Sequence, residues 1–136
     1  MPQLAVEAGG ARLELRSVVR ARRVLEKMKE KDMFRSMEDE DVNFLKGLPT
    51  MLMQNGLGQT LAFLAIKNNR KIFELLSDLV FSHVEVENTS DTMAVMDCVT
   101  GLGEQQYIEK QQEAMRCAAW MKKFAVAFHH KSQKGE

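Results

Sequence analysis

The sequence predicts an all-α protein, a compact single-domain bundle of about five or six helices. Three observations predict it. Apolar residues recur at three- and four-residue spacings over long stretches, the pattern of helices with one buried side. Turn-forming and β-favouring residues are scarce: two prolines, one tryptophan and one tyrosine stand beside ten methionines. The 136 residues, 45% hydrophobic and 28% charged, suit one globular core rather than two cores or a disordered chain.

Residues 1–10 contain a proline and a Gly-Gly pair without periodicity and read as a flexible N-terminal tail. The bundle domain is expected over residues 11–131, with 132–136 as a C-terminal tail. A first helix, to about Met33, turns Leu15, Val18, Ala21, Leu25 and Met28 inward and carries Arg16, Arg20, Arg22, Arg23, Lys27 and Lys31 on its other faces. The acidic run Glu38-Asp39-Glu40-Asp41 opens a second helix, because carboxylates are favoured at the positive end of the helix dipole. Pro49 predicts a kink or break near Gly47-Leu48, and Asn55-Gly56 predicts an end through a left-handed residue. Leu61 to Ile66 is apolar on all sides and predicts a central buried helix, with Gly58, Ala62 and Ala65 allowing close approach. Ile72, Leu75, Leu76, Leu79 and Val80 form the stripe of a further helix ending near Val86, with a short strand over 80–86 as the alternative. Asn88-Thr89-Ser90-Asp91 caps a short helix closed by Gly101 and Gly103. The longest helix runs from Glu104 to His130, with Tyr107, Ala114, Ala118, Met121, Ala125 and Phe128 inward. Cys117, Trp120 and Phe124 widen that stripe, so core packing rather than base stacking is expected of Trp120.

Patterns that carry chemistry are missing. No Gly-rich phosphate loop, His-Glu-x-x-His, Cys-x-x-Cys or Gly-x-Ser-x-Gly occurs, so we expect no enzyme, no catalytic residue and no cofactor. His129 and His130 are adjacent on a helix and do not face one site, and His83 stands alone, so no metal centre is expected. No apolar run approaches the roughly 20 residues of a membrane span. Met1 to Gly10 lacks the features of a secretory signal, which makes the cytoplasm the expected compartment and reduced, packed thiols the expected state of Cys98 and Cys117.

Charge is balanced in total but not along the chain. Residues 1–36 hold nine Lys/Arg against five Asp/Glu, 83–113 hold one against seven, and 114–136 hold five against one. On the last helix Arg116, Lys123 and His130 recur every seven residues with Lys122 alongside. Lys67, Arg70 and Lys71 cluster at a corner between helices, and Arg20 and Arg23 lie on the first. Phosphates need only a cation within reach, so such faces can follow a nucleic-acid backbone without reading bases.

Leu48-Pro49-Thr50-Met51, the run Gln54-Asn55-Gly56-Leu57-Gly58-Gln59-Thr60-Leu61-Ala62-Phe63, Tyr107, Glu113-Ala114 and Trp120-Met121-Lys122-Lys123-Phe124-Ala125 together resemble the helical small subunit of type III-B (Cmr) CRISPR effector complexes. The resemblance spans most of residues 48–128; helix 1 and Val84 to Gly103 share only helical character. Met121 stands where the family usually has Leu, a volume-conserving change. The resemblance implies a non-catalytic subunit that stacks on further copies of itself in an inner filament, against a large cyclase-bearing subunit and beside backbone subunits. Its nucleic-acid partner would be the target RNA of the guide–target duplex. It points to Lys122 and Lys123 as first candidates for RNA-backbone contact, followed by Arg116, Lys67 and Arg70, with Lys71, Arg20 and Arg23 completing the set. Asn55 to Gln59 is then structural, at a buried helix junction. The alternative is a helical protein–protein adaptor whose basic faces meet acidic proteins and never touch RNA.

Overall fold

In a computed structural model of the chain, the backbone is described for residues 2–67 and 69–134, and side chains for 15–67 and 69–129. His130, named above for its side chain, lies outside the described side chains. Six helices and no strand occur among the described residues: α1 (Pro2–Glu30), α2 (Met33–Ser36), α3 (Asp39–Ile66), α4 (Arg70–Val80), α5 (Thr92–Thr100) and α6 (Glu104–Lys134). The α6 helix is the axis, and α1, α2, α3 and α4 all pack on it. Its inner stripe is small, with Ala114, Cys117, Ala118, Met121 and Ala125 all fully buried, so neighbouring backbones come close.

Several elements differ from expectation. The backbone of α1 is helical from Pro2, ahead of Ala11; proline suits a first helical turn, where its missing N–H removes no bond. Its inward residues are Val24 and Met28, whereas Leu15 and Val18 are 61% and 56% exposed, so the N-terminal half of the expected stripe faces outward. The first helix stops at Glu30, and the chain reverses through Asp32 in the left-handed region (φ 53°) into the single turn of α2. Aspartate tolerates that region better than most residues.

Glu38 and Asp41 form a reciprocal capping box at the start of α3, as the acidic run predicts. Pro49 is carried inside the helix without non-helical backbone angles; the break falls at Gly56 (φ 83°, ψ 167°). That is not the left-handed helical region but an extended one open essentially to glycine alone. The break folds the helix back on itself. Phe44 and Phe63 stack with ring centroids 6.0 Å apart, whereas 19 residues of straight helix would separate them by roughly 28 Å.

Side chains of α6 hold this turn. The Leu57 N–H donates to Gln111 Oε1 (2.6 Å), the Gln111 amide donates to the Leu52 carbonyl (2.7 Å), and the Gly58 N–H donates to Tyr107 Oη (2.9 Å). Groups that a helix end leaves without partners are thereby satisfied from a neighbouring helix. The second arm of α3 is not buried all round: Leu61 and Leu64 are, but Phe63 is 36% and Ile66 81% exposed, because only one side meets the bundle.

The α4 helix buries Ile72, Phe73, Leu75, Leu76, Leu79 and Val80 and ends there, short of Val86. Phe81 is extended, and residues 82–91 form turns rather than helix or strand. Glu85 accepts from the Ser82 N–H, and Lys110 of α6 bonds both Glu85 (2.6 Å) and the Val80 carbonyl (3.1 Å). Asp91 caps α5 by accepting from the Ala94 N–H.

Candidate nucleic-acid interface

Of the eight candidate cations, Arg116, Lys122 and Lys123 share the outer face of α6, opposite its small-residue stripe, and all three are exposed. No carboxylate lies in salt-bridge range of any of them among the described residues; the Lys123 ammonium sits 4.8 Å from the centre of the Trp120 ring. Trp120 packs against the core, as expected, without being fully buried. It is half-buried at the margin of the stripe and begins a row of rings, Trp120–Phe124 (5.5 Å), Phe124–Phe128 (6.0 Å) and Phe128–Phe34 (5.0 Å). The spacing i, i+4, i+8 along α6 puts these three rings on one edge, displaced from the alanine stripe. Unpaired cations beside partly open aromatic faces are the make-up of surfaces that hold single-stranded nucleic acid.

Arg20 and Arg23 lie against α6 but have intramolecular work. Arg20 grips Glu113 with both fork nitrogens (2.8 and 2.9 Å), and Arg23 donates to the Asp78 carbonyl (3.2 Å). Burial alone would raise the Glu113 carboxyl, but hydrogen bonds from Arg20 and the Cys117 thiol, with Arg116 nearby, hold it below the usual carboxylate range. The same burial and the Glu113 carboxylate push the Cys117 thiol up to about 12, which leaves it unreactive at neutral pH. Arg20 therefore closes on Glu113, and Arg116, about one helical turn along α6, lies near that carboxylate without bonding it. Neither Glu113 nor its partner, 93 residues away, was legible as a pair in the sequence.

Lys67, Arg70 and Lys71 form a separate corner between α3 and α4. Arg70 is a clamp: it bonds Thr92 Oγ1 and the Ser90 carbonyl, pairs with Glu74 (3.5 Å) and lies over Phe73. Lys67 sits over Phe63 (5.7 Å), and Lys71 is exposed. None of these partners is on α1 or α6, so the corner is not joined to the α6 face.

The two described histidine side chains stand apart. His129 Nε2 bonds Asp39 Oδ1 (2.8 Å), tying the end of α6 to the start of α3, and His83 is exposed. No cluster of three potential ligands occurs among the described residues. Cys98 is half-buried, Cys117 is buried, and both are free. No helix among the described residues is long and apolar enough to cross a membrane.

Fold and surface define a small helical-bundle protein with segregated charge and a cationic, aromatic-edged helix face. The sequence model of the family described as "CRISPR-associated protein (Cas_Cmr5)" matches residues 16–128, and the chain belongs to that family. A curated relative from Thermotoga maritima, named CRISPR system Cmr subunit Cmr5, is 29% identical over 85 residues. The match covers 62% of this chain and 64% of the relative's length. No solved structure matches.

Proposed function

We propose that the chain is a non-catalytic small subunit of a type III-B CRISPR effector ribonucleoprotein in the cytoplasm. It stacks with copies of itself beside the large and backbone subunits and touches the target-RNA backbone through the outer face of α6. Family membership supports the assembly role. The observation that carries the RNA contact is the exposed set Arg116, Lys122 and Lys123, none of them in a salt bridge among the described residues, with Lys123 over the Trp120 ring. Arg70 and Arg20 rank lower, because their donors are engaged within the chain.

The test replaces Arg116, Lys122 and Lys123 with alanine and measures target-RNA affinity of the assembled complex over a salt series. Each cation that meets a phosphate contributes about 0.7 to 0.9 to the slope of log affinity against log salt. Weaker binding with a shallower slope is expected; unchanged affinity and slope remove this face from RNA contact. Exposed apolar residues such as Ile66 favour protein contacts as well. Failure of ultraviolet crosslinking to attach RNA to this chain in the loaded complex would select the adaptor reading.

A further inference from the structure

We infer that Trp120, with Arg116 and Lys123 on either side of it, is a stacking platform for an unpaired base of single-stranded RNA; this rests on the RNA contact proposed above and names the form of RNA it takes. The three residues follow one another at i, i+4 and i+7 along α6, the spacing that sets side chains on one face of a helix. About 10 Å of helix rise separates Arg116 from Lys123, with the indole between them. A ring with a cation at each end matches a single strand, in which each base hangs between two phosphates.

The sequence ranks Trp120 with the core, and it does pack there, yet it is half-buried rather than buried. The group over its ring is the Lys123 ammonium, 4.8 Å from the centre. Lys123 is exposed on a flexible stem, and no salt bridge among the described residues holds it in place. A cation over an exposed ring is held more weakly than a base stacked on one. The ammonium can therefore leave the ring for a phosphate while a base takes its place, and no carboxylate has to be displaced. Phe124 stacks with Trp120 at 5.5 Å and restrains the indole, and Phe128, 37% exposed, continues the edge.

Other rings under cations lack this combination. Phe73 and Phe81, beneath Arg70 and Lys110, are buried. Phe63 is open beneath Lys67, but the neighbouring Arg70 is engaged with Thr92, Ser90 and Glu74. A base inside a duplex has both faces covered by its neighbours, so the platform selects single strands.

Trp120 is the chain's single tryptophan, so its fluorescence reports this ring alone. The full chain is titrated at low salt with a single-stranded RNA of about 12 nucleotides, with the same strand annealed to its complement, and with sodium polyphosphate. Binding is followed in parallel by the anisotropy of end-labelled strands and by their displacement with polyphosphate. The expected result is strong quenching by the single strand and little by the bound duplex or polyphosphate. Trp120→Leu, with folding checked by circular dichroism, should weaken single-strand binding about fivefold or more and leave displacement by polyphosphate unchanged. Equal emission changes with all three polyanions would mean that Lys123 moves and nothing stacks, which overturns the platform and leaves the backbone contact standing. Single-strand binding without an emission change has the same meaning. Absence of binding at low salt also overturns the platform, and the alanine variants in the assembled complex then judge the backbone contact separately.

Discussion

At the scale of single residues, Gly56 is the position with least freedom. Its backbone angles admit essentially glycine, and a Cβ there would lie 3.0 Å from Tyr107 Oη, the atom that accepts from the Gly58 N–H. Gly56→Ala is therefore expected to destabilise by about 2–3 kcal/mol, combining backbone strain with a displaced hydrogen bond. Urea denaturation would measure it, and a loss under half a kcal/mol would contradict the account. Gln111→Leu attacks the same turn from α6: it removes the side-chain partner of the Leu57 N–H and the Leu52 carbonyl, both on buried residues, and should cost about 2 kcal/mol. Thr60 acts in the opposite direction. Its hydroxyl is buried with no partner among the described residues, so Thr60→Val removes an unmet polar group at nearly constant shape. A gain of about 1 kcal/mol, read as a rise of a few degrees in Tm, is expected.

At the scale of elements, periodicity located the helices better than it located their ends or faces. The capping run at 38–41 and the cap at Asp91 were readable because their bonds are local. The exposed half of α1 was not, because an apolar stripe looks the same whether this chain or another covers it. Nor was the return of α3 on itself: Asn55-Gly56 announces a turn, but its direction depends on Gln111 and Tyr107, some 50 residues away. Pro49 gives this level its own test. Inside a continuous helix it leaves the Leu45 carbonyl without the N–H four residues on, and its ring crowds the preceding turn. Pro49→Ala restores that donor and is expected to stabilise by about 1–2 kcal/mol, below the full helix-interior penalty because the helix already accommodates the ring. A loss of stability would mean that the proline fixes a bend the fold requires.

At the scale of the molecule, charge blocks visible in the sequence predicted opposed surfaces, but not which cations are spent inside the fold. Three carboxylates show where that internal charge goes. Asp78 is held by Lys31 (2.7 Å) and Thr89, Glu85 by Lys110 (2.6 Å), and Glu113 by Arg20 (2.8 Å). In each, burial alone would raise the carboxyl, yet the partners outweigh it and the group sits below its ordinary value. In the unfolded chain the same groups titrate near pH 4. Between that value and their lower folded values, the unfolded state binds more protons, so stability must rise with pH there. Their contribution is complete above the ordinary carboxylate range and disappears as pH falls through the folded values. These pairs bind the turn after α1 to α4, the 82–91 turns to α6, and α1 to α6, so their loss weakens the packing of those elements. Thermal midpoints should therefore stay level from neutral pH to about 5 and fall steeply below about 4. Combined Asp78→Asn, Glu85→Gln and Glu113→Gln replacement should lower the midpoint at pH 7 and flatten the acid limb. A triple variant with an acid limb as steep as the parent's would show that other carboxylates govern acid unfolding.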